Sequence, residues 1–179
     1  MQGTTDQQYD SAIESCKEIF LKKTKDYGTS WRVSRPISIA DQVYIKAKRI
    51  RNVQEAGIQK IQDDVVGEFK GIVNYGIIGL IQLDIHDEDV EQIPLEEVTR
   101  LYDTKVSQTK KLMEDKNHDY GEAWREMRLS SLTDIILMKL LRIKQIEDNM
   151  GKTFISEGID ANYQDIINYS IFALIKLEE

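Results

Sequence analysis

The sequence has few of the residues that most often build catalytic and metal-binding sites. Its 179 residues include one cysteine, two histidines and two prolines. The single cysteine, Cys16, has no partner for an intrachain disulfide, which favours a cytoplasmic setting. His86 and His118 are isolated in polar surroundings, so neither metal binding nor general-base catalysis is expected of them. No glycine-rich phosphate loop, zinc-ligand cluster or nucleophile with a histidine partner is present.

Signals for membranes and nucleic acids are missing as well. The longest apolar stretch, from Gly71 to Leu83, is interrupted by Asn74 and Gln82 and is too short to span a bilayer. The polar N-terminus lacks the pattern of a secretory signal. A net charge of −7 argues against sequence-independent binding to nucleic acid, although it leaves room for a local basic pocket. We therefore expect a cytoplasmic protein with no membrane partner and no nucleic-acid partner.

The main feature present is an internal repeat. Residues 26–50 recur as residues 119–143, and 11 of these 25 positions are identical at a constant offset of 93. A second match, at an offset of 94, relates residues 72–84 to residues 166–178. Folding requires only that the apolar periodicity be kept, whereas here charged residues recur at fixed spacing as well. The repeat therefore indicates a shared binding site in addition to a shared fold.

The apolar periodicity predicts an all-α fold, a helical bundle of about six main helices. They would form two tandem three-helix repeats related by a pseudo-two-fold, with a first repeat at 1–84, an acidic linker at 85–94 and a second repeat at 95–179. Each repeat is near the size at which a separate core becomes marginal, so the two should share one core. Gly28 is expected to end the first helix, and Ser38 to cap the second. The predicted helices span approximately 7–25, 38–56, 58–83, 95–117, 131–150 and 155–177.

The second helix carries the first candidate site. On a helical wheel, Asp41, Lys46 and Arg49 flank the apolar stripe. The fifth helix repeats this set as Asp134, Lys139 and Arg142, within a segment so apolar that it should be enclosed on most sides. One explanation is that the acids and bases form structural ion pairs. The other is that a carboxylate holds a metal or a ligand hydroxyl while the basic residues hold phosphate oxygens. The sequence leaves both open.

The loop before each of these helices adds two arginines and a tryptophan. The repeated residues are Trp31, Arg32 and Arg35 in the first copy and Trp124, Arg125 and Arg128 in the second. Guanidinium groups could hold phosphate while the indole stacks on a planar base. Alternatively, the tryptophan fills the core and the arginines cap helix ends or pair with carboxylates.

The third helix of each copy buries an Asn-Tyr pair in an apolar run. Asn74 and Asn168 must find hydrogen-bond partners in the protein or in a ligand. A metal site would need several oxygen ligands, and the candidates are Asp134, Glu157 and Asp165. Asp41 and Asp63 correspond to the first two of these acids, whereas Gly71 stands opposite Asp165.

The DYGxxWR block, followed by Asp, Lys and Arg-Ile and then by the Asn-Tyr helix, resembles the nucleotide modification associated domain 1 family, a domain of unknown function. The resemblance covers nearly the whole chain as two tandem copies. It implies an all-α protein linked to modified or unusual nucleotides. The helical organisation is also similar to that of MazG-like all-α nucleoside triphosphate pyrophosphohydrolases, which use Mg²⁺. Their E-x-x-E and E-x-x-D motifs are not matched, and Asp165-x-x-Asn168 is the nearest equivalent.

These observations predict a protein that binds a nucleotide or related phosphorylated metabolite at a repeated Asp/Lys/Arg/Asn site. If it is catalytic, we expect Mg²⁺-dependent phosphoanhydride hydrolysis, with no catalytic residue yet assigned. The alternative is a non-enzymatic helical interaction module in which the repeated charges are structural ion pairs.

Overall fold

The computed structural model describes residues 4–57, 62–85 and 91–179, with residues 62–64 described by their backbone alone. These ranges contain six α-helices, two short 3-10 helices and no strand, which confirms the all-α prediction. The α-helices are α1 (Thr5–Tyr27), α2 (Pro36–Ala56), α3 (Gln62–Asp84), α4 (Leu95–Tyr120), α5 (Leu129–Asp148) and α6 (Ile159–Glu178). The 3-10 helices, Ser30–Val33 and Ala123–Glu126, lie in the loops before α2 and α5. Within the described ranges, none of the helices combines the length and apolar character needed to cross a bilayer.

The helix ends confirm one predicted cap and correct another. α1 ends at Gly28, which has a positive φ of 65° and donates its N–H to the carbonyl of Thr24. Ser38, however, is not the cap of α2, because that helix begins at Pro36 and Ser38 lies in its first turn. Proline is favoured at the first helical position because its φ is already helical and its missing N–H would have no partner there.

Helices α3 and α6 form the centre of the fold. α2 packs on α3, α5 packs on α6, and α2 and α5 also contact each other, so these four form a bundle. α1 and α4 each contact both central helices. One continuous apolar core contains residues from all six helices.

Two glycines allow α3 and α6 to approach closely. A Cβ added at Gly76 would lie 2.7 Å from a side-chain atom of Ile167, and one added at Gly79 would lie 2.8 Å from the Tyr163 ring. Glycine in a helix interior is unfavourable by about 1 kcal/mol relative to alanine. That cost is offset here because larger side chains would separate the two central helices.

Reciprocal hydrogen bonds connect the two copies at this centre. The hydroxyl of Tyr9 in α1 donates to the side-chain oxygen of Asn168 in α6, and Tyr102 in α4 donates to Asn74 in α3, both at 2.7 Å. Each tyrosine therefore belongs to one copy and each asparagine to the other. The pseudo-two-fold relation of the whole copies stays a prediction. These two equivalent hydrogen bonds are contacts of the kind that such a relation requires.

The same asparagines also bind the first helix of their own copy. The amide nitrogen of Asn74 donates to the backbone carbonyl of Cys16 at 2.9 Å, and that of Asn168 donates to the carbonyl of Thr109 at 3.2 Å. Cys16 and Thr109 are equivalent at the offset of 93. Each buried amide thereby joins three helices, because an unpaired polar group would be costly in this core.

Tyr102→Phe removes a hydroxyl and leaves the side-chain oxygen of Asn74 without its donor. We expect the free energy of unfolding to fall by about 1–3 kcal/mol, as for other buried polar groups left unpaired. Urea denaturation of the variant and of Tyr120→Phe measures this, since the Tyr120 side chain is 75% exposed. Equal stability of the two variants would contradict the structural importance of the reciprocal contacts.

Candidate functional site

Two pockets occupy equivalent places in the two copies. The first, of about 400 Å³, lies among α1, α2, α3 and the loop that contains Trp31. The second, of about 360 Å³, lies among α4, α5, α6 and the loop that contains Trp124. The second is lined by Met113, Lys116, Asn117, Tyr120, Ala123, Trp124, Met127, Lys139, Asp165, Asn168, Tyr169 and Phe172. Every one of these residues aligns with a residue that lines the first pocket.

The central helices hold the tryptophan loops in place. Near the end of α3, the side-chain amide of Gln82 donates to the carbonyls of Trp31 and Ser34 at 3.3 and 3.1 Å. Its equivalent in α6, Lys176, donates to the carbonyl of Arg125 at 2.7 Å. Both contacts tie the tryptophan loop to a central helix, so each indole is held at the wall of its pocket.

A buried carboxylate binds both lysines of the second pocket. Asp165, with only 4% of its side chain exposed, accepts a hydrogen bond from Lys116 at 2.7 Å through one oxygen and forms an ion pair with Lys139 at 2.8 Å through the other. Although burial opposes the charge of Lys116, the hydrogen bond and charge of Asp165 raise the pKa of that ammonium above its ordinary value. Both lysines of this pocket are therefore already paired with a carboxylate of the protein.

The first pocket has no carboxylate at this position. Gly71 replaces the acid, and an added Cβ there would lie 3.1 Å from the Lys46 side chain, which extends across the space. Glu68, one turn earlier in α3, lies 3.7 Å from the Lys46 ammonium and binds Arg49 at 2.9 Å. In the described part of the chain, Lys23 forms neither an ion pair nor a hydrogen bond. The first pocket thus presents a free ammonium beside a loosely paired one.

The two tryptophans differ in what covers their rings. Phe172 stacks on Trp124 with ring centroids 4.2 Å apart, and the guanidinium of Arg125 lies 4.4 Å from the indole centroid. In the first copy Ile78 takes the place of Phe172, and Trp31 makes no ring or cation contact with the residues described here. A planar ligand could therefore reach Trp31 more readily than Trp124. The buried N–H of Trp124 has no hydrogen-bond acceptor within the described ranges.

The structure divides the residues that the sequence analysis grouped together. Lys46, Lys139, Asn74, Asn168 and Asp165 line these two pockets, as do both tryptophans. The remaining candidates line neither of the two, although Arg142 and Glu157 both line a separate cavity beside the C-terminal end of α5. The residues outside are Arg32, Arg35, Asp41, Arg49, Arg125, Arg128, Asp134, Arg142 and Glu157. Whether any candidate binds a ligand stays a prediction.

Some of the arginines outside the pockets form hydrogen bonds with other side chains of the protein, and others are exposed. The Arg32 side chain donates to Gln82, and Arg125 donates to Thr5 at 2.8 Å and to Gln8 at 2.6 Å. Arg35 and Arg128 occupy the N-cap positions of α2 and α5 and are exposed, and Arg142 is exposed on α5.

Asp41 and Asp134 lie on exposed surface. Asp41 forms an ion pair with Lys144 of the other copy at 3.1 Å. The expectation that α5 is enclosed on most sides was wrong, since its Met138 and Leu141 are 43% and 57% exposed. None of the helices described here covers the face of α5 that carries them, and Asp134 is exposed as well.

The candidate metal ligands do not come together. Asp165 is buried between two lysines, whereas Asp134 and Glu157 are exposed, and the side chain of Asp63 lies outside the described residues. Among the residues described, no three acids, histidines or cysteines are close enough to hold a cation. One carboxylate bound by two ammonium groups does not fit Mg²⁺, which prefers several oxygen ligands.

Among the pocket residues that were not predicted as site residues, three are identical in the two copies. They are Lys23, Tyr27 and Tyr75 in the first copy and Lys116, Tyr120 and Tyr169 in the second. All three are identical at the repeat offsets, so their identity was the signal that could have revealed them.

Comparison with known proteins finds one family. The family model described as nucleotide modification associated domain 1 matches residues 23–83 and, separately, residues 116–177. Each match begins at the pocket lysine of its copy. No curated protein and no solved structure matches the chain.

Asp165→Asn keeps the shape of the side chain but removes the charge that binds both lysines. We expect a loss of roughly 1–3 kcal/mol, less than for a fully enclosed pair because Lys116 is partly exposed. Since the pKa of Lys116 is raised, its stabilising contribution should persist at all pH values below the ordinary lysine pKa of 10.5 and be lost only above it. Chemical denaturation of wild type and variant at pH 7 and pH 11 tests this; a difference in stability that did not shrink at pH 11 would contradict it.

The side chain of Glu147 should destabilise the fold at neutral pH. Both oxygens of Glu147 are buried with no partner in the described part of the chain. Burial, followed by the charges of Asp41 and Asp148, raises the pKa of Glu147. Glu147→Gln should therefore raise the melting temperature at pH 7. The gain should shrink as the pH falls through the raised pKa towards 4.5, because the wild-type group then becomes neutral. Melting curves against an exposed control, Glu96→Gln, measure the effect, and an equal or larger gain at low pH would disprove it.

Proposed function

The chain belongs to the nucleotide modification associated domain 1 family, and from that premise we propose that it binds a nucleotide or related phosphorylated metabolite in its repeated pockets. The observation that carries the proposal is the repetition of a lysine pair beside a tryptophan and a tyrosine in two cavities of equivalent position. Repeated apolar residues would follow from repeated packing alone, whereas repeated ammonium groups that face a cavity favour an anionic ligand.

The chemistry of the lining suits such a ligand. Ammonium groups such as those of Lys23 and Lys46 bind phosphate oxygens through charge-assisted hydrogen bonds. Aromatic rings such as those of Trp31 and Tyr75 offer faces for a planar base. Asn74 retains one N–H beyond its hydrogen bond to the carbonyl of Cys16, and this group can contact a polar edge of the ligand. A volume of about 400 Å³ lies within the usual range for small-molecule sites.

Hydrolysis of a phosphoanhydride is a narrower possibility. It would require a nucleotide that brings Mg²⁺ on its own phosphates, because the described residues do not supply a resident metal site. The proposal is therefore binding first, with Mg²⁺-dependent cleavage as a property to be measured.

A non-enzymatic interaction module is the competing function. It is favoured by Asp165, which binds two repeated lysines, and by the asparagines, which are bonded to protein groups. Under this alternative the repeated polar residues stabilise the assembly of the two copies, and no ligand affects the melting temperature.

The two functions differ in the response to ligand. We expect nucleoside triphosphates at millimolar concentration to raise the melting temperature of the wild-type protein, because a ligand that binds only the folded state stabilises it. Lys46→Met should reduce that rise if the first pocket binds the ligand, and Lys139→Met should reduce it only if the second pocket binds one as well. Thermal-shift measurements with and without Mg²⁺, followed by calorimetry, test the proposal, and product analysis of the same samples detects cleavage. Absence of binding to all of these nucleotides would leave the interaction module as the function.

A further inference from the structure

We infer that the two pockets have different roles, and that the first pocket alone accepts the phosphoryl group. This inference rests on the proposed function and specifies the site: one anionic ligand per chain, bound by Lys23 and Lys46. The second pocket keeps the same lining but carries its own anion, the carboxylate of Asp165. The difference arises from a single aligned pair, Gly71 in α3 and Asp165 in α6.

Asp165 stands where a ligand anion would have to bind. Its two oxygens already form close ion pairs with Lys116 and Lys139 at 2.7 and 2.8 Å, and the contact with Lys116 is a charge-assisted hydrogen bond. An arriving phosphate would have to replace this carboxylate as the partner of the ammonium groups and would also be repelled by it. Because the Asp165 side chain is 4% exposed, solvent screens that repulsion only weakly.

In the first pocket the corresponding ammonium groups remain available. Lys23 has no ion partner among the described residues. The acid paired with Lys46, Glu68, does not line the pocket, and its shorter contact is to Arg49 at 2.9 Å rather than to Lys46 at 3.7 Å. In the second pocket the acid lies inside the cavity, between the two lysines, whereas in the first pocket it lies outside the cavity.

The aromatic residues of the two pockets also favour ligand binding in the first pocket. Trp124 is stacked against Phe172 and contacted by Arg125, so its ring is already occupied by protein groups. Trp31 faces a pocket in which Ile78 replaces that phenylalanine. A phosphorylated ligand with a planar group would therefore find both a free cation and an accessible ring in the first pocket.

The inference is tested by adding the acid to the first copy at Gly71 and by removing it from the second copy at Asp165. The probes are inorganic pyrophosphate and the four deoxynucleoside triphosphates, titrated by calorimetry into the full chain. Wild type should bind one equivalent. Gly71→Asp places a carboxylate between Lys23 and Lys46, and Gly71→Asn adds a side chain of nearly the same volume without charge. We expect Gly71→Asp to bind at least about tenfold more weakly than Gly71→Asn, as one like charge at close range would cause.

Removal of the acid from the second pocket provides an independent test if Gly71→Asp does not fold. Asp165→Asn releases Lys116 and Lys139, and we expect the stoichiometry to rise from one to two equivalents. Two equivalents in wild type, equal affinities of the two Gly71 variants, or an unchanged stoichiometry in Asp165→Asn would each overturn the inference while leaving nucleotide binding in place. Failure of wild type to bind any probe at millimolar concentration would instead overturn the proposed function together with it.

Discussion

The structure depends on the need to satisfy two buried amide groups. Asn74 and Asn168 lie in the most apolar helices of the chain, where an unpaired amide would cost free energy on the order of 1–3 kcal/mol. Each is satisfied by a tyrosine hydroxyl from the other copy and by a backbone carbonyl of its own copy. These contacts place α1 and α4 across the central pair of helices. They also determine where the pockets form, because the same two asparagines line them.

Around this shared frame, the two copies have diverged in the position of one carboxylate. In the second copy the acid is Asp165, inside the pocket; in the first copy it is Glu68, one helical turn earlier and outside it. The two copies therefore differ in the number of ammonium groups that remain without a carboxylate partner inside the pocket. A small displacement of an acid along a helix can change which lysines are available to a ligand without any change of fold.

Several parts of the site were predictable from residues alone. Lys46 and Lys139 were selected because they recur at a fixed offset, and both line pockets. Asp41 and Arg49 recur equally well but do not line the cavity, because a position that flanks the apolar stripe can face either the interior groove or the outside. The angular position of a residue on its own helix does not show whether it faces the groove or the outside. The packing of the neighbouring helices decides this. Lys23 was missed for the converse reason, since it lies on α1, in a part of the repeat with few other identities.

Sequence periodicity and the repeat determined the all-α class, the approximate helices, the correspondence of the two copies and the presence of repeated polar groups within them. These properties are local, because they follow from spacing along the chain. Tertiary packing decided which repeated residues share a cavity, that Asp165 binds both lysines, and that each asparagine is satisfied by the opposite copy. Such contacts join residues more than 20 positions apart, and their geometry exists only once the six helices have been assembled around one core.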